Sequence, residues 1–243
     1  MAENQNNEKL SHEEKVELFK ETVLDIMDGE KQVVFLDTEK ITSLPAEERA
    51  AEVAAEIKTQ SPEFYNKIIE MGPEKSSELF SDLGRKPHEL TASANLLRDF
   101  KDVTVISTPS KERDEIKEFL PSKDVITDLK IDVDAFPATD REMIMYNAAH
   151  EAAHAKFNDH DSMKEAHKST ASLIGEEARA DDFANNYLKQ KGNADIGPAF
   201  QQIRAIEYLL HGEVGDHATA GFSSEDAGKV TPADLKEIEE TRK

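Results

Sequence analysis

Residues 150 to 154 read His-Glu-Ala-Ala-His, two histidines four positions apart with a glutamate beside the first. On a helix, positions four apart share a face, so both imidazoles can meet one metal ion. The glutamate next to the first histidine can then reach a water held by that ion and take its proton. The chain has no cysteine, which excludes thiolate sites, disulfides and iron–sulfur clusters and leaves His, Asp and Glu as the ligand types. Zinc, one per chain, is the ion this pattern suits, and it needs a third protein ligand and a fourth position open for water.

Two residues compete for the third place. His160 completes HEAAHAKFNDH, a spacing that resembles the metzincin motif. Metzincins, however, turn sharply at a glycine three residues past the second histidine. Phe157 stands there in this chain, and a bulky residue is costly at positive φ. Met163, the last methionine, also follows His160 too closely to serve as the methionine turn of that class. The rival is Glu177, in the segment EEARADDFANNYL. Glu177 and Asp181 are four apart on an expected helix, so Glu177 can bind the ion while Asp181 accepts a hydrogen bond from a ligand histidine and fixes its tautomer.

An HExxH followed by this ExxxD resembles the gluzincins, the class of thermolysin. More locally, ARADDFANNYL after HEAAH is similar to the EADxFA segment of the ImmA/IrrE-type zinc peptidases. The resemblance covers about residues 100 to 190. It implies a zincin-like core, a small sheet followed by the HExxH helix and a second ligand-bearing helix, and a zinc-dependent endopeptidase with Glu151 as general base. It also implies a downstream histidine that helps hold the oxyanion. His217, in GDHATAG, looks like the GxHxxxG surround of that residue, and His211 is the other candidate. The main rival is a non-catalytic relative whose helices bind a partner or use zinc structurally. Glu151 speaks against it, because a structural site needs no general base.

The elements that must position these residues read as α+β and mostly helical. Ser11 to Glu14 is a capping box ahead of Val16, Phe19, Val23, Ile26 and Met27 at helical spacing, with Gly29 as the stop. Val33 to Leu36 reads as a buried strand, and its continuation, VVFLDTEK, opens like a haloacid-dehalogenase motif but has Glu39 where that motif needs Asp. Helices are expected over much of 45 to 100, with Ser61-Pro62 as N-cap and first residue and Gly72-Pro73 as a stop. Strands follow over 102 to 108 and 124 to 133, around a short helix capped at Ser110. Thr139 to Glu142 is a second capping box and starts the HExxH helix. Further helices are expected over 163 to 189, with a break at Gly175, and over 198 to 210. The resulting division is a disordered tail over 1 to 10, a mostly helical region over 11 to 99, a zincin-like domain over 100 to 222, and a polar tail over 223 to 243 with one short helix.

The 51 acidic residues against 30 basic ones give a formal charge of -21, which repels phosphate backbones and anionic membrane surfaces. The expected partner is a protein or peptide substrate with a basic bias, and neither nucleic acid nor membrane. The first residues carry neither a basic n-region nor an apolar h-region, and no stretch approaches the ~18 apolar residues of a membrane span. The expected location is the cytoplasm, with export by a route that reads no N-terminal signal left open.

A histidine that donates to the oxyanion acts mainly in the transition state. His217→Ala should therefore lower kcat and kcat/KM by a similar factor while zinc content and KM stay nearly unchanged. A kcat within about twofold of wild type, on a substrate whose chemical step is rate-limiting, would make His217 an ordinary loop residue.

Overall fold

The computed structural model describes residues 10–85, 93–96, 100–109, 138–157, 170–193 and 196–197, with the side chains of 93–96 and 170–174 excepted. The expected strand over 124 to 133, the helices at Ser110 and over 198 to 210, and both tails apart from Leu10 lie outside these residues.

Helix α1 spans His12–Met27 and begins on the expected reciprocal cap. The Ser11 amide donates to the Glu14 carboxylate at 2.8 Å, and the Glu14 amide donates to Ser11 Oγ at 3.2 Å. Its end is shared by two left-handed residues, because Asp28 takes the cap at φ 41° and Gly29 follows at φ 74°. The chain then enters strand β1, Gln32–Leu36. Helices α2 (Thr38–Thr42), α3 (Ala46–Gln60), α4 (Pro62–Glu70) and α5 (Pro73–Arg85) follow. Asp37, the acid of the phosphatase-like motif, is simply the cap of α2, accepting from the Lys40 amide at 3.0 Å.

Strands β2 (Ser93–Leu96) and β3 (Val103–Ser107) complete a three-stranded sheet in the order β1-β3-β2. β1 runs parallel to β3, with Val34 opposite Val105, and β2 runs antiparallel to it, with Ala94 opposite Ile106. The outer edge of β1 is closed by a side chain. Gln60 of α3 accepts from the Phe35 amide at 3.0 Å and donates to its carbonyl at 2.6 Å, as a neighbouring strand would. The HExxH helix, α6, spans Asp140–Phe157, and α7 spans Thr170–Gln190.

Because side chains alternate along a strand, the sheet divides the described core in two. Val34, Leu36, Val103 and Val105 pack with Ile41, Val53, Ile57, Phe64 and Ile68 from α2, α3 and α4. Phe35 and Ile106 face the other way, onto Phe19, Val23 and Met27 of α1, Ala148, Ala149, Ala152 and Ala155 of α6, and Ala184 and Leu188 of α7. Burying one side chain such as Phe19 contributes roughly 1.5–3 kcal/mol. Elements from both sides of residue 100 thus share one sheet and both apolar clusters.

The fold is α+β and mostly helical, as the sequence pattern predicts, but two local expectations fail. β2 lies in a stretch read as helical, because its alternation, Ser-Ala-Asn-Leu, spans only four residues with no β-branched or aromatic side chain, and the partner supplies the pairing. Gly175 does not break α7, which runs through it. The ~1 kcal/mol cost of a helical glycine is small beside the packing of α7 on α6. Ser61 is the N-cap of α4 and Pro62 its first residue, as expected, although the Ser61 side chain makes no capping bond and its hydroxyl donates to Gln32 Oε1 at 2.9 Å. No helix among the described residues is long and apolar enough to cross a membrane.

Glu56 lines a cleft with Asp37, Lys40 and Glu52. Burial, with the charges of Asp37 and Glu52, pushes its carboxyl up to about 7, against the Asp37 amide and Lys40, which pull it down. The folded state therefore holds this proton more tightly than the unfolded chain. The resulting stability is complete below about pH 4.5 and lost as the pH rises through about 7. Glu56→Gln keeps an acceptor for the Asp37 amide without titrating. In thermal melts at about pH 4.5 and about pH 8, the variant should gain on wild type at the higher pH, and a constant difference would contradict the assignment.

Candidate metal centre

Helix α6 starts where the capping box places it. The Thr139 amide donates to Glu142 Oε2 at 2.9 Å, and the Glu142 amide donates to Thr139 Oγ1 at 3.2 Å. The helix then runs between α1, α7 and the sheet, with Ala148, Ala149, Ala152, Ala153 and Ala155 fully buried. Alanine there lets neighbouring backbones approach closely. On α7, Ala180 and Ala184 are likewise fully buried. Helical periodicity puts His150 and His154 on one face of α6, and Glu177 and Asp181 on one face of α7.

These four side chains meet in the buried space between the two helices, and none of the four residues is more than 8% exposed. His150 Nε2 lies 3.1 Å from His154 Nε2 and 3.1 Å from Glu177 Oε2, and His154 Nε2 lies 3.4 Å from Glu177 Oε1. Three ligand atoms, one each from His150, His154 and Glu177, fall within 4.8 Å of one another. Donors held at ~2.0–2.1 Å by a tetrahedral ion stand about 3.3 Å apart, so the observed separations fit zinc.

The electrostatics point the same way. Asp181 Oδ1 lies 2.9 Å from His150 Nδ1, close enough to favour a proton on that nitrogen, although not in line as a hydrogen bond. The proton on Nδ1 leaves a lone pair on His150 Nε2, facing both the Glu177 carboxylate and the second imidazole. Such an arrangement favours a positive charge at its centre. Burial opposes protonation of His150, but Asp181 and Glu177 outweigh it and hold the imidazole pKa above its ordinary value. His154 is raised in the same way, with burial outweighed by Glu177, Glu151 and Glu176. A protonated imidazole or a divalent cation bound between these donors would supply the charge that the carboxylates favour.

Glu151 follows His150 directly and is half-buried, its charge felt at His154. Glu176, whose charge is also felt there, was not singled out by the sequence, where it reads as one more acid in EEARADD. His160, His211 and His217 lie outside the described residues. Lys31 is a further residue with no sequence signal. From the turn before β1 it donates to the Ala155 carbonyl at 2.6 Å, in the last turn of the helix that carries both histidines.

No family model, curated protein or solved structure matches the chain. The assignment of the site rests on its own chemistry.

If Glu177 is the third ligand, Glu177→Ala should weaken zinc affinity most, measured by competition with a chromophoric chelator. Asp181→Ala should cost the ~10- to 100-fold typical of a partner that orients a ligand. His160→Ala should stay within a few fold of wild type. The reverse order would make His160 the ligand.

Proposed function

We propose that this protein is a zinc-dependent endopeptidase with a zincin-like core, in which His150, His154 and Glu177 hold the ion and Glu151 is the general base. The observation that carries this reading is the convergence of the three donors at separations suited to a tetrahedral ion, with a glutamate next in sequence to the first of them. Bound there, zinc supplies an acidified water and a Lewis acid for the scissile carbonyl.

The chain's own groups do the rest. Asp181 orients the His150 ring so that Nε2 faces the ligand cluster. Glu151 takes the proton that the attacking water gives up and returns it to the departing amine, so one carboxylate serves as base and then as acid. The burial of the ligand side chains keeps the field between Glu177 and the two imidazoles strong, because bulk water does not screen it.

A peptide as substrate is supported by the sheet. β2 is an edge strand among the described residues and packs against α6. An extended peptide can add to such an edge through main-chain hydrogen bonds, which bind any sequence and bring the chain alongside the HExxH helix. The net charge of -21 favours basic segments among such peptides.

Glu151→Gln keeps size and shape but removes the base. Elemental analysis of this variant should find zinc at the wild-type level, while hydrolysis of a denatured protein substrate falls ~10²-fold or more. His150→Ala should lose both zinc and activity. Equal metal loss in the two variants would make Glu151 a ligand and overturn the mechanism.

A further inference from the structure

Helix α1 contributes no donor to the metal centre, yet it holds both helices that do. It runs in the same direction as α6 and grips it at both ends. At the first residue of α6, Asp140 Oδ2 lies 3.4 Å from Nζ of Lys15, a lysine buried to 2% exposure in α1. At the other end, Lys156 donates to the Ile26 carbonyl at 3.4 Å and to Glu30 at 2.6 Å. Lys31, in the turn behind α1, donates to the Ala155 carbonyl at 2.6 Å. That carbonyl is one of the last four of α6, which have no partner within the helix, so a lysine there both satisfies the acceptor and opposes the helix dipole.

The same α1 holds α7 through one carboxylate. Asp25 accepts from the Tyr187 hydroxyl at 2.7 Å and pairs with Lys191 at 2.8 Å. The two histidines ride on α6 and Glu177 on α7, so the separation between imidazoles and carboxylate is the separation between two helices tied to a third. A shift of one helix by a few tenths of an ångström takes the donors away from the spacing that a tetrahedral ion demands.

We propose that α1 and the turn behind it are the positioning element of the metal centre, with Lys31 and Asp25 as positioning residues that set metal affinity by fixing α6 against α7. This rests on the metal-centre reading above and adds a control point for it. Whatever displaces α1 loosens the ion without touching a ligand.

The test is zinc affinity by chelator competition, beside the melting temperature of the metal-free protein. Lys31→Met and Asp25→Ala should each weaken zinc binding about threefold to tenfold, less than the loss of a partner that touches a ligand. Lys31→Arg, which keeps a donor, should restore it. Ile57→Val, in the cluster on the opposite face of the sheet, should lower the melting temperature and leave zinc affinity within about twofold, since among the described residues that cluster contains none from α6 or α7. If Lys31→Met does not fold, Tyr187→Phe removes a single hydroxyl from the same network and carries the comparison. Wild-type affinity in these variants, or an equal loss in Ile57→Val, would overturn the positioning role alone. A wild-type protein that binds no zinc would overturn the metal centre itself.

Discussion

Two imidazoles and a carboxylate stand within 3.4 Å of one another in a space that bulk water scarcely reaches, and a second carboxylate orients one of the rings. The ionised acids favour a positive charge in that space, and they hold both imidazole pKa values above the ordinary one. The rest of the described molecule can be understood as what makes this crowding possible. Alanines at 148, 149, 152 and 153 thin the HExxH helix so that α1, α7 and the sheet close around it. Alanines at 180 and 184 do the same for α7.

A rigid frame matters because the donors come from two helices far apart in the chain. The sheet supplies part of it, with the parallel β1–β3 pair carrying one apolar cluster on each face. α1 and the turn behind it supply the other part through Lys15, Asp25 and Lys31. The acidity of the chain fits the same picture. A surface of net charge -21 raises the local concentration of cations, metal ions and basic peptides alike.

The features legible in the sequence are those set by local geometry. The capping boxes at Ser11 and Thr139 are closed within three residues, and the partnership of His150 with His154, or of Glu177 with Asp181, follows from the helical repeat. What the sequence hides is tertiary. The Lys31 contact to Ala155 joins residues 124 positions apart, and no local pattern marks that lysine among the others. β2 exists because β3 offers it an edge, and α7 passes through Gly175 because its packing outweighs the propensity of one residue. Gln60, placed to mimic a strand against Phe35, reads in sequence only as the end of a helix.

X-ray absorption at the zinc edge of the purified, zinc-loaded protein tests the central claim most directly, since it reports the atoms around the ion. A His150, His154 and Glu177 site predicts a four-coordinate shell of nitrogen and oxygen at ~2.0–2.1 Å, with the outer-shell scattering of two imidazoles. A shell of oxygens without imidazole scattering, or with a third imidazole in place of the carboxylate, would contradict it.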